Sequence, residues 1–278
     1  MSGQCSVFSV QSQFSVSVSV IVILKTEIQM NFFRKIKNLF DRRKAINEIY
    51  DDIKNLDEVL LEKRLEILNE IATPKFAEIG LNHWNGKYLW FSDFNEDGIK
   101  FVVEYNVLKG FGGSFSFGIC YDFIPTISSQ NKLIYHKTDK STKIIYYKRL
   151  EGWQKSYENN SRINPDRIST VNEEKFRKSL KNVIENNIPK LKKWFEENKT
   201  IEQNITSLLG EIKNPTYEIG RRTISFEYIL GFINAKNNDF DSAEFWIKKH
   251  FDNSGNEVEQ NLVLEKFKAL KKTATENC

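Results

Sequence analysis

Three carboxylates stand in an order that could serve metal-dependent cleavage of a phosphodiester. Asp93 falls in one strand-like segment, Asp97 in the turn after it, and Glu104 within the next strand-like segment. Such a site needs an acid on one strand and an acid-x-lysine on the following one, so that oxygens hold a cation and the amine acts as a base. Glu104 is followed by Tyr105 and Asn106, so the lysine is missing. A nuclease with a degenerate site stays as an alternative, and it predicts that Asp93, Asp97 and Glu104 converge in one pocket. The cluster Asp93, Glu96 and Asp97 lacks the glycine and glutamate spacing of a calcium loop and reads as a solvated turn. His83, His136 and His250 fall in three different segments, with no HxxxH pair and no neighbouring cysteine, so neither a zinc site nor a serine triad is signalled. Lys109-Gly110-Phe111-Gly112-Gly113 leads from strand to strand, without GK[ST] or GxGxxG, and reads as a hairpin loop rather than a phosphate cradle. No catalytic, cofactor-binding or metal-ligating set emerges, and no cofactor is expected.

The elements that would position these residues are read from periodicity. Segments 85–94 (NGKYLWFSDF) and 99–108 (IKFVVEYNVL) flank an Asp97-Gly98 hairpin turn, and 114–124 (SFSFGICYDFI) follows the glycine cluster. Phe115, Phe117, Ile119, Tyr121 and Phe123 alternate with smaller residues, which predicts one aromatic face and one lighter face. With 133–136 and 143–148 the segments predict an antiparallel meander of four or five strands. Helices are predicted around it. Asn172-Glu173-Glu174 opens one that Pro189 interrupts, 200–209 forms another closed by Gly210, and 222–236 with 241–251 forms a helical hairpin covered by 256–272. The fold class is α+β.

Ahead of the sheet, Leu39, Ile46, Ile53 and Leu60 recur every seven residues, with Ile49 and Leu56 on a second seam. This predicts a helical arm over 30–72, broken near Asn55 and ending at Thr73-Pro74, which could dimerise as a coiled coil through 39–60. Arg34, Lys35 and Lys37 beside Phe32, Ile36 and Phe40 make the arm's start basic and amphipathic, a pattern that suits an anionic membrane surface. Residues 6–24 alternate serine and valine, with no basic segment before them and too little apolar length for a span. We read 1–29 as an upstream extension and Met30 as the start. The expected divisions are 1–29, 30–72, 73–210 for the α+β domain, and 211–278 for a helical annex.

Hydrophobic residues at 40% and charged residues at 28% allow a buried core and argue against global disorder. The net charge of +4 is too small to imply nucleic-acid binding without a local patch. Cys5, Cys120 and Cys278 are odd in number and far apart, which suits a reducing cytoplasm and a core role for Cys120.

The segment 74–81 (PKFAEIGL), the pair around 102–119 (VVEYNVLKGFGGSFSFGI) and the helix 188–197 (IPKLKKWFEE) resemble the bacterial family called domain of unknown function 4304, over about residues 64–209. That resemblance implies the helix–meander–helix order and brings no assigned activity. Leu230-Gly231 with Phe240, Ala243 and Ile247 resembles a single tetratricopeptide-type unit, although Glu227, Asn234 and Gly255 depart from it. Together these features favour a non-enzymatic intracellular binding protein, immunity- or antitoxin-like, whose partner is another protein. Trp84, Trp90, Phe111 and Trp153 are the residues expected to form an exposed contact patch. A membrane-peripheral module using Arg34, Lys35 and Lys37 is the remaining alternative.

Overall fold

A computed structural model describes residues 54–109, 112–158, 164–214, 224–252 and 255–276, together with Lys37, Leu39, Phe40, Arg43, Lys44, Ile46 and Asn47. Residues 1–29, Arg34, Lys35 and Phe111 lie outside this set. The chain divides into two compact units, residues 1–55 and 56–278. In the first, Lys37, Leu39, Phe40, Arg43, Lys44, Ile46, Asn47 and Lys54 are helical and exposed.

The second unit runs α1 (Leu61–Ala77), β1 (His83–Trp84), β2 (Leu89–Phe91), β3 (Ile99–Leu108), β4 (Gly112–Tyr121), β5 (Thr126–Ile127), β6 (Leu133–Ile134) and β7 (Tyr146–Arg149). It continues with α2 (Glu151–Glu158), β8 (Ile168–Ser169), α3 (Glu173–Glu196), α4 (Ile201–Lys213), α5 (Phe226–Lys236), α6 (Phe240–Asp252) and α7 (Glu257–Glu276). The α+β class is as the sequence predicts. The main sheet is antiparallel, in the order β1-β2-β3-β4-β7, with β8 also beside β4, while β5 and β6 pair separately.

Alternation along β3 and β4 explains how the sheet packs. The register sets Ile99 opposite Tyr121, Phe101 opposite Ile119, Val103 opposite Phe117 and Tyr105 opposite Phe115, so these eight share one face. Trp90 joins them opposite Val103. At the Tyr105 end, α1 covers this face with Ile67, Leu68, Ala72 and Phe76, and α3 covers it with Phe176, Leu180, Val183 and Ile184. The Phe76 ring meets Trp90 edge-on at 5.1 Å and Phe115 at 5.3 Å. At the other end Ile99, Ile119 and Tyr121 share a core with α5, α6 and α7, which supply Ile229, Phe232, Ile247, Val263 and Phe267. Each fully buried side chain of this size stabilises the fold by about 1.5–3 kcal/mol.

Three local expectations are corrected. The seam predicted through 39–60 does not reach its end: the expected break falls at Asn55, and 56–60 is not helical. Asp57 N donates to Val171 O at 2.8 Å and Val59 N to Thr170 O at 3.2 Å, so main-chain pairing replaces helix there. Leu60 is the N-cap of α1 rather than a seam residue of the arm. Pro74 and Pro189 break nothing. Both sit inside helices on exposed positions, where water can meet the carbonyl each leaves unpaired. Gly210 likewise lies within α4 instead of closing it. As predicted, α3 starts at Asn172, whose side chain accepts from Lys175 N at 2.9 Å.

Gly118 marks a close approach of neighbouring chain segments. A Cβ there would lie 1.9 Å from Tyr146 O and 2.6 Å from Ile144 Cγ2, so β7 and the segment before it approach only because the side chain is absent. We expect Gly118→Ala to cost about 3 kcal/mol by overpacking. Gly210→Ala, on an exposed helical position with nothing within 4 Å of the added carbon, should stabilise by about 0.5–1 kcal/mol. Urea unfolding midpoints of the two variants moving in opposite directions would check both.

Candidate functional site

The second face of the sheet carries Lys100, Val102, Glu104 and Asn106 from β3, Ser114, Ser116, Gly118 and Cys120 from β4, and Tyr147 and Arg149 from β7. Its halves differ. One half is closed by a small cluster of Phe91, Val102, Cys120 and Ile144, flanked by Leu89, Phe94 and Tyr147. Lys100 is buried in it at 2% exposure, with Nζ 2.7 Å from Asp139 Oδ1 and 4.7 and 4.4 Å from the ring centroids of Phe91 and Phe94. A buried ammonium is tolerated only when paired, and the carboxylate and two ring faces do that here. The same bond holds the Asp139 carboxyl below the usual carboxylate range.

His136 is fully engaged. Its Nδ1 stands 2.8 Å from Ser141 O and its Nε2 3.1 Å from Thr126 Oγ1. A carbonyl can only accept, so Nδ1 carries the proton and Nε2 accepts from the threonine hydroxyl. Burial pushes the His136 pKa down and the Cys120 thiol up to about 11. His250, 2.7 Å from Ser225 Oγ, is also pushed down by burial.

The other half of the face opens on a cleft of about 1370 Å³. Glu104, Asn106, Ser114, Tyr147, Arg149 and Trp153 line its wall on the sheet side. Asn106 Nδ2 donates to Ser116 Oγ at 2.7 Å, and Arg149 Nε donates to Tyr147 Oη at 3.3 Å. The Arg149 guanidinium stands 5.7 Å from the Trp153 ring centroid. Trp153 is placed by α2, whose first turn is held by Asp166 from across a loop. This buried carboxylate accepts from Trp153 N at 3.2 Å through one oxygen and from Asn187 Nδ2 at 2.7 Å through the other. A negative charge there also suits the positive end of the helix. Gly152 is required, because a Cβ would lie 2.4 Å from Asp166 Oδ2. Two buried polar atoms on this wall, Ser114 Oγ and Trp153 Nε1, have no hydrogen-bond partner. Each such atom costs about 1–3 kcal/mol, so the pair is an expense in a folded chain.

The acidic trio does not converge. Asp93 bonds His83 Nε2 at 2.9 Å, and Asp97 Oδ2 accepts from Ile201 N at 3.3 Å at the start of α4. Glu104 lies five residues into β3, about 17 Å along the strand from Ile99. Among the described residues no group of three or more His, Cys, Asp or Glu is arranged to hold a metal ion.

The expected aromatic patch is divided. Trp90 is a core residue and not a surface one, with no exposed area and Nε1 donating to Thr73 Oγ1 at 3.0 Å. Its alternation partner is Val103, which turns it inward. Trp84 is half-buried, stacked on Trp90 at 6.2 Å, with Nε1 donating to Lys87 O. Of the expected patch residues within the described set, Trp153 alone lines the cleft. Lys37 is exposed. Sequence reading missed Ser114, Tyr147, Arg149 and Asp166. The signal available was the lighter alternation of β3 and β4, since Glu104, Asn106, Ser114 and Ser116 occupy one side of the ladder.

Comparison with protein-family models, with curated proteins and with solved structures finds no match. Among the described residues no helix is long and apolar enough to cross a membrane.

The two lowered histidines fix a sign for pH dependence. Unfolded, each titrates near its ordinary value of about 6.5. Folded, each binds its proton only at lower pH. The unfolded chain therefore binds more protons in that window, and stability is full above about pH 6.5 and is lost as pH falls below it. The urea midpoint should drop between pH 7.5 and 5, and His136→Asn with His250→Asn should flatten that drop relative to wild type.

Proposed function

We propose that this chain is a non-enzymatic, cytoplasmic binding protein, immunity- or antitoxin-like, that receives part of another protein in the cleft on the sheet's second face. The observation that carries this reading is the Tyr147–Arg149–Trp153 group on the cleft wall, braced from behind by Asp166. Tryptophan, tyrosine and arginine are the residues that most often dominate binding energy, above all when held rigid before the partner arrives. The engaged ring of His136 and the dispersed acidic trio support binding over chemistry. The resemblance of about residues 64–209 to the bacterial domain of unknown function 4304, and of 230–247 to a tetratricopeptide-type hairpin, belongs with this reading as well. The test is a pull-down with the full chain. A partner retained by wild type and lost by Trp153→Ala, at an unchanged melting temperature, supports the reading. A partner held equally by both overturns the cleft as its seat.

A second reading has its own observation. Leu39 and Phe40 are 63% and 69% exposed on a helical stretch that also exposes Lys37, Arg43 and Lys44. Apolar and basic side chains side by side suit an anionic bilayer surface. Co-sedimentation with vesicles containing phosphatidylserine should be seen for wild type and reduced several-fold by Lys37→Glu with Phe40→Ser. Equal sedimentation of both would remove this reading.

A further inference from the structure

On one side of β3 the pairing runs further than on the other. β4 pairs with it as far as Leu108, opposite Gly112, whereas the register of β2 ends with Leu89 opposite Glu104. Successive residues of a strand point their main-chain groups to opposite sides. Ser92 N donates to Phe101 O and Tyr105 N to Tyr88 O, so the odd-numbered residues of β3 face β2 and the even-numbered ones face β4. Val107 is the next odd residue. Continued past Tyr88, the same register would set Gly86 against it, but the chain turns away there. Gly86 has a φ of +75°, and Asn85 Oδ1 accepts from both Lys87 N and Leu89 N, so the loop closes upon itself. Among the described residues no main-chain hydrogen bond reaches Val107 from that side, and the residue is 53% exposed.

The open edge is also held in shape. Asn106 and Leu108, on either side of Val107, are paired with Ser114 and Gly112 of β4, so the extended geometry is set before anything binds. Val107, Asn106, Leu108 and Leu89 all line the cleft. A strand laid against Val107 would send alternate side chains into the cleft and the others toward the core face, beside the exposed valine. The next residue of the same parity, Lys109, is charged and exposed, which keeps the open stretch short and disfavours open-ended stacking of copies. An N–H and a C=O presented side by side along a rigid edge are matched by another extended main chain.

We infer that the Val107 edge of β3 is a strand-addition site, at which an extended segment of a partner protein pairs its main chain with Val107 and lowers alternate side chains into the cleft. The inference rests on the binding reading above and adds the form in which the partner arrives: an extended strand with an apolar residue beside Val107, rather than a helix or a second copy of this chain.

Strand addition leaves a signature that other contacts lack. In the full chain labelled with ¹⁵N-valine, Val107→Thr identifies the Val107 amide signal by its loss. The probe is Ac-Thr-Val-Thr-Val-Thr-NH₂. Two analogues carry N-methyl groups, one on both valines and one on the central threonine. Successive N–H groups point to opposite sides of a strand, so each analogue blocks one side only. With about nine-tenths of the sites filled, hydrogen exchange at Val107 should slow roughly tenfold. One N-methylated analogue should lose that effect while the other keeps it. Val107→Pro removes the N–H at an edge position, where proline is tolerated. It should weaken binding of a fluorescein-labelled probe roughly tenfold, about one hydrogen bond's worth. Equal behaviour of the two analogues overturns main-chain pairing, and no slowing at Val107 with the probe in large excess overturns the site; neither result depends on how the proline variant folds. Slow exchange at Val107 without probe, in step with dimerisation seen by light scattering, overturns the partner strand in favour of a second copy. The pull-down separates this inference from the reading beneath it. A partner lost by Trp153→Ala and kept by a folded Val107→Pro chain overturns the edge and leaves the cleft, and the reverse result leaves the edge and overturns the Trp153 group.

Discussion

β3 and β4 pair over ten consecutive residues, from Ile99 with Tyr121 to Leu108 with Gly112. That ladder sorts every side chain of both strands onto one of two faces, and a slip of one residue would exchange the faces completely. The register is held by what the exchange would do. Tyr105, Phe115 and Phe117 would leave the helices α1 and α3, and Glu104, Asn106, Ser114 and Ser116 would enter a wholly apolar core. Burying such polar groups without partners is costly enough to exclude the alternative. Aromatic packing on one side thus fixes the polar arrangement on the other.

This coupling accounts for the cleft. Its wall is not built by a loop but by the rear of the strands whose fronts make the core. Ser114 and Ser116 are wholly or nearly buried because β4 is central, flanked by β3 on one side and by β7 and β8 on the other. The same rigid strands hold β7 so that Tyr147 and Arg149 face the cleft, and the chain then turns straight into α2. Asp166 closes the arrangement by tying the first turn of α2 to Asn187 of α3, a helix anchored in the aromatic core. A site supported in this way has its geometry set before any ligand arrives.

Much of this was legible in the residues, for reasons that can be named. The period of two in β3 and β4, the Asp97-Gly98 turn and the Asn172 cap are local signals, and local signals survive into the structure. The aromatic face was also legible, but the role of single tryptophans was not. Trp90 and Trp153 look alike in sequence, and only the pairing of β2 with β3 sends one inward. Prolines 74 and 189 misled because their cost depends on which side of the helix they occupy, which is a tertiary fact. The heptad stripe misled at Leu56 and Leu60 because residues more than a hundred positions away, Thr170 and Val171, offer the main chain a competing partner. Asp166 was invisible for the same reason: its two partners come from α2 and α3.

The C-terminal helices have a bearing on how the molecule can be divided. Ile99, Ile119 and Tyr121 at one end of the sheet are buried by α5–α7, and Tyr121 Oη reaches Asn204 Oδ1 on α4 at 2.5 Å. Tyr228 Oη in turn donates to Pro125 O at 3.0 Å, just after β4. A strand that enters one core at Tyr105 and another at Ile99 transmits the loss of either to the other. The annex and the sheet lie in one compact unit, residues 56–278, and share this core. A shortened chain ending near residue 211 would not be a smaller domain but a sheet with an apolar end laid bare, prone to self-association rather than to autonomous folding.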